Sequence, residues 1–182
     1  GAPIPDFLKG AKPEEVRKHR VEFDVPVRDR SGGLTAERKV GFLIDPQTRK
    51  DFQDRSAGFD VVRGQAEELR DWADKNRTGL FGIVMSQGPM EAVRERDRLE
   101  ALTKTMIEGY IKNVTGIRRA STSAIKYMTE VVRRPDELRQ FVSLLAGGSR
   151  ERYNQILDEI NNGDNAMLNQ YIAGGVPKVD ES

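Results

Sequence analysis

The sequence predicts a predominantly α-helical α+β protein: a compact bundle of five to seven helices with a β-hairpin near its N terminus. Three observations lead to this fold class. Apolar residues recur at helical spacing through most of the 182 residues. One short early stretch instead alternates apolar and polar residues, which is typical of a strand. Glycine, proline and asparagine separate the helical segments with short connections, which favours antiparallel neighbours in a bundle.

The first 45 residues predict an irregular arm followed by a β-hairpin. Prolines and a glycine interrupt residues 1–19, so no regular structure is expected there. Residues 21–27 alternate apolar and polar, residues 40–44 do so less cleanly, and together they predict the two strands of a hairpin within residues 20–45. Pro26 cannot donate a ladder hydrogen bond, which places its strand at an edge or a bulge. Because two strands alone are marginally stable, the apolar face of the hairpin is expected to lie on a helix.

The helical bundle is predicted to span residues 46–175 and to begin with a long helix. Asp45 followed by proline is a typical helix opening, and the helical spacing continues to about Asn76. Two glycines weaken this helix, and a break is expected near residues 56–58. Residues 80–85 form the longest apolar run, whose periodicity fits a buried strand or a buried helix. The lack of a partner strand favours the helix.

The helix predicted for residues 89–114 is expected to be the scaffold of the bundle. Gly88 and Pro89 mark its beginning, and Gly116 marks its end. On a helical wheel its apolar residues cover roughly half of the circumference, which is wider than the stripe of a surface helix. These residues are Ala92, Leu99, Leu102, Met106, Ile107, Tyr110, Ile111 and Val114. Such a helix needs neighbours on several sides.

Four further helices are predicted between this scaffold and residue 175. The first carries its apolar stripe from Ile117 to Val131 and ends at Pro135, and the second ends at two glycines after Leu145. Stop and cap signals at residues 162–164 then divide the remaining stretch into two short helices. Residues 20–175 are therefore predicted to form a single globular domain, followed by a frayed acidic tail over residues 176–182.

The composition excludes several kinds of chemistry. The chain contains no cysteine and a single histidine, His19. It therefore cannot form disulfides, thiolate nucleophiles, cysteine-based zinc sites or a multi-histidine metal centre, and we expect neither a metal nor a cofactor. No apolar run approaches the roughly 20 residues that span a bilayer, so no transmembrane segment is predicted. Without a targeting signal, a cytoplasmic location is the default expectation.

Positive charge is concentrated after the scaffold helix, although the formal net charge of the chain is only +1. Residues 101–150 contain nine lysines and arginines against four carboxylates. Arg119, Lys126 and Arg133 repeat every seven residues opposite the apolar stripe, which makes a row about 21 Å long. Such a row can follow a phosphate backbone or dock on an acidic partner. The candidate partner- or phosphate-binding residues are Arg118, Arg119, Lys126, Arg133, Arg134 and Arg139.

These features favour a non-enzymatic protein–protein interaction or assembly module that uses charged helix faces to bind a protein partner or copies of itself. The first alternative is a nucleic-acid-binding protein that uses the basic helix face. The second is an enzyme working with Asp, Glu, Arg, Tyr or Ser, for which no catalytic motif is found. Trp72, the only tryptophan, is expected in the core or at its edge, and an interface anchor is the alternative role.

Overall fold

The computed structural model describes residues 3–30, 34–117, 122–147 and 150–175. These ranges contain seven α-helices and one two-stranded antiparallel sheet. In chain order the elements are α1 (Pro13–His19), β1 (Arg20–Arg28), β2 (Leu34–Phe42), α2 (Arg49–Lys75), α3 (Gly79–Gln87), α4 (Pro89–Val114), α5 (Thr122–Arg133), α6 (Pro135–Ala146) and α7 (Arg150–Tyr171). The predicted fold class, mostly helical with an N-terminal hairpin, is confirmed.

A short helix lies in the segment that was expected to be irregular. Pro13 occupies the first turn of α1, two glutamates follow it, and basic residues fill the last turn. This order suits a helix because proline has a preset φ. The acidic first turn and the basic last turn also interact favourably with the helix dipole. The buried His19 ends α1, and its Nδ1 lies 2.8 Å from the carbonyl oxygen of Leu43. The expectation of irregular structure is therefore wrong for residues 13–19.

The hairpin is longer than the apolar pattern indicates. Its strands pair from Arg20 opposite Phe42 to Arg28 opposite Leu34. Most of β2 is exposed and polar, so only its last residues carry a recognisable apolar pattern. The apolar face packs on the helices as expected: the rings of Phe23 in β1 and Phe52 in α2 have centroids 6.0 Å apart.

The helix α2 runs without the break expected near Gly58. An added Cβ at Gly58 would lie 2.4 Å from the side-chain amide of Asn113 on α4. The glycine therefore permits a close approach of α2 and α4. The helix continues through it although glycine in a helix interior lowers stability by about 1 kcal/mol relative to alanine.

A further correction concerns α7, which is continuous where two helices were expected. Gly163 lies in its middle and faces α4, and an added Cβ there would lie 2.8 Å from Cε2 of Tyr110 and 2.9 Å from Cγ1 of Val114. Asp164, expected to cap a new helix, is buried and accepts a hydrogen bond from Arg63 of α2. The apparent stop signal is thus a site of close helix packing.

The scaffold role predicted for residues 89–114 agrees with the packing of α4. This helix packs against α2, α3, α5, α6 and α7. Its buried residues are Ala92, Leu99, Thr103, Met106, Ile107, Tyr110, Asn113 and Val114. Buried apolar side chains from the hairpin and from α2 to α7 join one hydrophobic cluster around it. The expected helix at residues 80–85 is present as α3, whereas the predicted tail over 176–182 lies outside the described residues.

Candidate protein interface on α3 and α4

The helix α3 is anchored to the bundle by one side. Ile83 is buried and Leu80 is partly buried, where α3 packs mainly against α4 and α6. Gly79 begins the helix with φ at 64°, and an added Cβ there would lie 2.9 Å from the carbonyl oxygen of Ala146. Glycine is suited to this position for both its backbone angle and the contact with α6. The local sequence therefore fixes which face of α3 is turned inward.

The other side of α3 presents large apolar side chains to solvent. Phe81 and Met85 are 71% and 72% exposed, and Val84 is 37% exposed. Their spacing of three and four residues puts them on one face. Beyond the connecting Gly88, the first turns of α4 expose Met90 and Val93, at 72% and 45%. We call these five side chains, Phe81, Val84, Met85, Met90 and Val93, the apolar surface.

The summed exposed area of these five side chains reaches the upper end of the range found for the largest apolar patch on a monomer. At about 200 Å² for each large side chain, its exposed parts amount to roughly 600 Å². The largest apolar patch on a typical monomer is about 300–600 Å² and often has a function. Other exposed apolar residues lie elsewhere and need no such explanation: Ile44 is in the connection after β2, and Val61 is on α2.

Charged residues of both signs follow the apolar surface along α4. Arg94 donates to Glu91 at 2.9 Å, and Arg98 lies 3.4 Å from both Glu95 and Glu68. All of these side chains are at least partly exposed, so the pairs add little to folding stability. They give the apolar surface a polar rim that is close to electrically neutral.

Trp72 is buried, in agreement with the expectation of a core or core-edge position. Its side chain on α2 is 6% exposed, and its Nε1 donates to Oε2 of Glu95 on α4 at 2.7 Å. The indole thus joins the two longest helices of the bundle. Its alternative role as an interface anchor stays a prediction.

The structure gives the predicted basic residues different surroundings. Lys126 and Arg133 are exposed on α5 and have no ion-pair partner within the described ranges. Arg134, in contrast, lies 3.3 Å from Glu130 and 3.0 Å from Glu137. The Nε of Arg139 lies 3.7 Å from a carboxylate oxygen of Glu100, so both arginines face carboxylates of this chain. The remaining two candidates, Arg118 and Arg119, lie outside the described residues.

A polar groove of about 570 Å³ lies between α2 and α4. Its charged and amide side chains are Asp51, Asp54, Arg55, Gln65, Lys112 and Asn113. Two of the charged groups already serve the fold. Arg55 donates to the carbonyl oxygens of Asn113 and Thr115 at 3.0 Å each, and Asp51 accepts from the hydroxyl of Tyr171. Arg55 and Asp51 are thus engaged by the fold rather than free to bind a ligand in the groove.

A buried cluster of one arginine and two carboxyl side chains joins α2 to α7. Arg63 donates to Asp164 and to Asp60, and both Arg63 and Asp164 are almost inaccessible to solvent. Burial raises the pKa of Asp164 to about 7, although the guanidinium of Arg63 opposes this shift. This cluster lies in the core and serves to orient the two helices.

Neither a metal centre nor a membrane span is found in the described part of the chain: no group of three or more His, Asp or Glu side chains has a metal-binding arrangement. No helix among those residues is both long and apolar enough to cross a bilayer. No known protein family, curated protein or solved structure matches the chain. Its function must therefore be argued from its own surfaces.

Sequence reasoning missed the apolar surface, although a signal for it is present. Residues 80–85 were expected to be buried because the run is apolar on all sides. Met90 falls outside the apolar arc of the scaffold helix, and Val93 lies at the edge of that arc at the same angle as Ile111, so the wheel places Met90 away from the core. Apolar residues on the outer side of two consecutive helices are the combination that indicates a binding surface.

Proposed function

We propose that this protein is a non-enzymatic protein-interaction module that docks through the apolar surface on α3 and α4. The observation that carries this proposal is the exposure of Phe81, Met85 and Met90, each above 70%. The three residues lie on the two helices that Gly88 connects. Aromatic residues and methionine are enriched in protein interfaces, and methionine adapts its shape to a partner.

The energetic reason is the removal of apolar area from water. Covering roughly 600 Å² of such surface is worth on the order of 15 kcal/mol before the costs of association are subtracted. Those costs are of similar size, so the expected affinity is moderate and depends on how well the partner fits. The charged rim on α4 contributes mainly to orientation and to association rate.

The test is a comparison of three immobilised proteins: the wild type, the double variant Phe81→Ser with Met85→Ser, and the control Val61→Ser. Val61 is 61% exposed on α2, so the control removes a similar apolar side chain from another surface. Proteins from source cells, together with isotope-labelled copies of the chain itself, are captured and quantified by mass spectrometry. The proposal requires at least one protein that the wild type and the control retain and the double variant loses. Identical capture profiles for all three would refute it.

We propose nucleic-acid binding as a second candidate, supported by two exposed cations on α5 that have no ion-pair partner in the part of the chain that the structure describes. Lys126 and Arg133 are separated by two helical turns, about 10 Å along the axis, and the exposed ring of Tyr127 is available for stacking. Anisotropy of a labelled oligonucleotide should then fall steeply between 50 and 200 mM salt, as phosphate contacts dictate. Charge reversal at both cations should abolish the signal, and a wild type that binds nothing at low salt excludes this function.

A further inference from the structure

We infer that the partner of the apolar surface is a second copy of this chain, packed α3 against α3 about a two-fold axis. The inference rests on the proposed function, because it needs the apolar surface to be a docking site. It goes further by naming the occupant and the arrangement.

The area of the apolar surface is sufficient for a dimer. Two copies would bury roughly 1,200 Å² together, which is the lower limit of the standard size for specific interfaces. A two-fold arrangement uses the same patch on both copies, so no second complementary surface is needed.

The residue order along α3 is complementary to itself. In an antiparallel pair whose two-fold axis crosses the exposed face of α3 at the level of residue 83, Phe81 of each copy faces Met85 of the other. This places a thioether against an aromatic ring twice, which is a favourable contact. Val84 lies between these two contacts and fills the centre of the proposed interface.

The charges around the apolar surface also fit a second copy. The first turns of α4 carry an ion pair between Glu91 and Arg94. Each copy therefore offers both a carboxylate and a guanidinium to the rim of the other. The whole chain carries a formal net charge of only +1, so two copies repel each other weakly. A membrane surface, in contrast, favours a rim dominated by lysine and arginine.

The five methionines of the chain provide a direct probe of this dimer. Met85 and Met90 belong to the apolar surface and are each 72% exposed, whereas the other three, Met106, Met128 and Met167, are at most 8% exposed. The full chain is studied by sedimentation equilibrium from about 1 to 200 μM, and its methionine oxidation by peroxide is mapped by mass spectrometry at both limits. The variant Phe81→Asp is compared with the control Val61→Asp.

The expected result is a monomer–dimer equilibrium in the micromolar range, with Met85 and Met90 protected at high concentration and reactive on dilution. Phe81→Asp should weaken the dimer about 100-fold, because it puts a charge into the buried interface, and Val61→Asp should leave the affinity unchanged. Circular dichroism of both variants checks that they fold.

Three results would overturn the inference, and they have different meanings for the proposed function. If the chain is a monomer at every concentration and Met85 and Met90 react, a second copy is not the partner. The apolar surface could then still bind another protein. A monomer in which both residues oxidise as slowly as Met106 shows that the surface is covered, and the proposed function falls as well. A dimer that persists in Phe81→Asp uses a different surface.

Discussion

Replacing Gly163 by alanine is expected to destabilise this protein, although the same change stabilises most helix interiors. In the middle of a helix, alanine is favoured over glycine by about 1 kcal/mol. At Gly163 the new Cβ would lie 2.8 Å from Cε2 of Tyr110 and 2.9 Å from Cγ1 of Val114. Both neighbours are fully buried, and the hydroxyl of Tyr110 donates to Glu159 at 2.8 Å, so the ring cannot shift without loosening that bond.

The net effect follows from these opposing contributions. Overpacking of a core typically costs about 1–3 kcal/mol, and a weakened hydrogen bond costs about 1 kcal/mol more. After the helical preference of alanine is subtracted, Gly163→Ala should lower the free energy of unfolding by about 1–3 kcal/mol. The matched control is Gly64→Ala on α2, where no atom lies within 4 Å of the added Cβ. This control should raise the free energy of unfolding by about 0.5–1 kcal/mol.

Urea denaturation followed by circular dichroism measures both variants, and their free energies of unfolding should differ by about 1.5–4 kcal/mol with unchanged m-values. Equal stabilisation by the two substitutions would refute the reasoning, because it would mean that α7 does not approach α4 closely at Gly163. A control that fails to stabilise would instead show that alanine gains nothing in α2.

Three further predictions concern polar groups of the core. The raised pKa of Asp164, about 7 against an ordinary 3.8, means that the folded state keeps a proton that the unfolded chain has lost. Stability should therefore fall as pH rises from about 4 to 7, by at most roughly 4 kcal/mol, and Asp164→Asn should flatten this part of the urea-measured profile. Trp72→Phe removes the bond to Glu95 and some core volume, so calorimetry should show a loss of about 1–2 kcal/mol. Arg55→Lys should speed hydrogen exchange in the last turn of α4: lysine lacks the Nε that lies 3.4 Å from Asp51, so its ammonium is less well held against the carbonyls of Asn113 and Thr115.

The bounds of α4 could be predicted from the sequence because both of its ends carry local signals. Proline is favoured in the first turn, a glycine with positive φ lies on each side, and the apolar positions repeat over seven turns. Each of these signals acts within a few residues of the chain. The structure therefore begins and ends the helix where they indicate, at Pro89 and Val114.

Gly58 and Gly163 were misread because glycine has two uses that look alike in a sequence. It can end a helix by adopting a positive φ, or it can lie inside a helix where another helix comes too close for a side chain. Only the positions of Asn113, Tyr110 and Val114 on α4 distinguish these uses. Such contacts join residues about 50 positions apart, so local periodicity contains no information on them.

The apolar surface escaped prediction for a related reason, and this bears directly on function. An apolar run shows that a helix is stabilised when it is covered on all sides, but it does not show which molecule covers it. In α3 the bundle covers Ile83 and leaves Phe81 and Met85 in solvent. If a second copy covers them, the burial that the run indicates is achieved in the dimer, and α3 is a core helix of the assembly. The apolar run of α3 and the dimer thus follow from the same requirement, the removal of apolar side chains from water. The variant Phe81→Asp tests it directly.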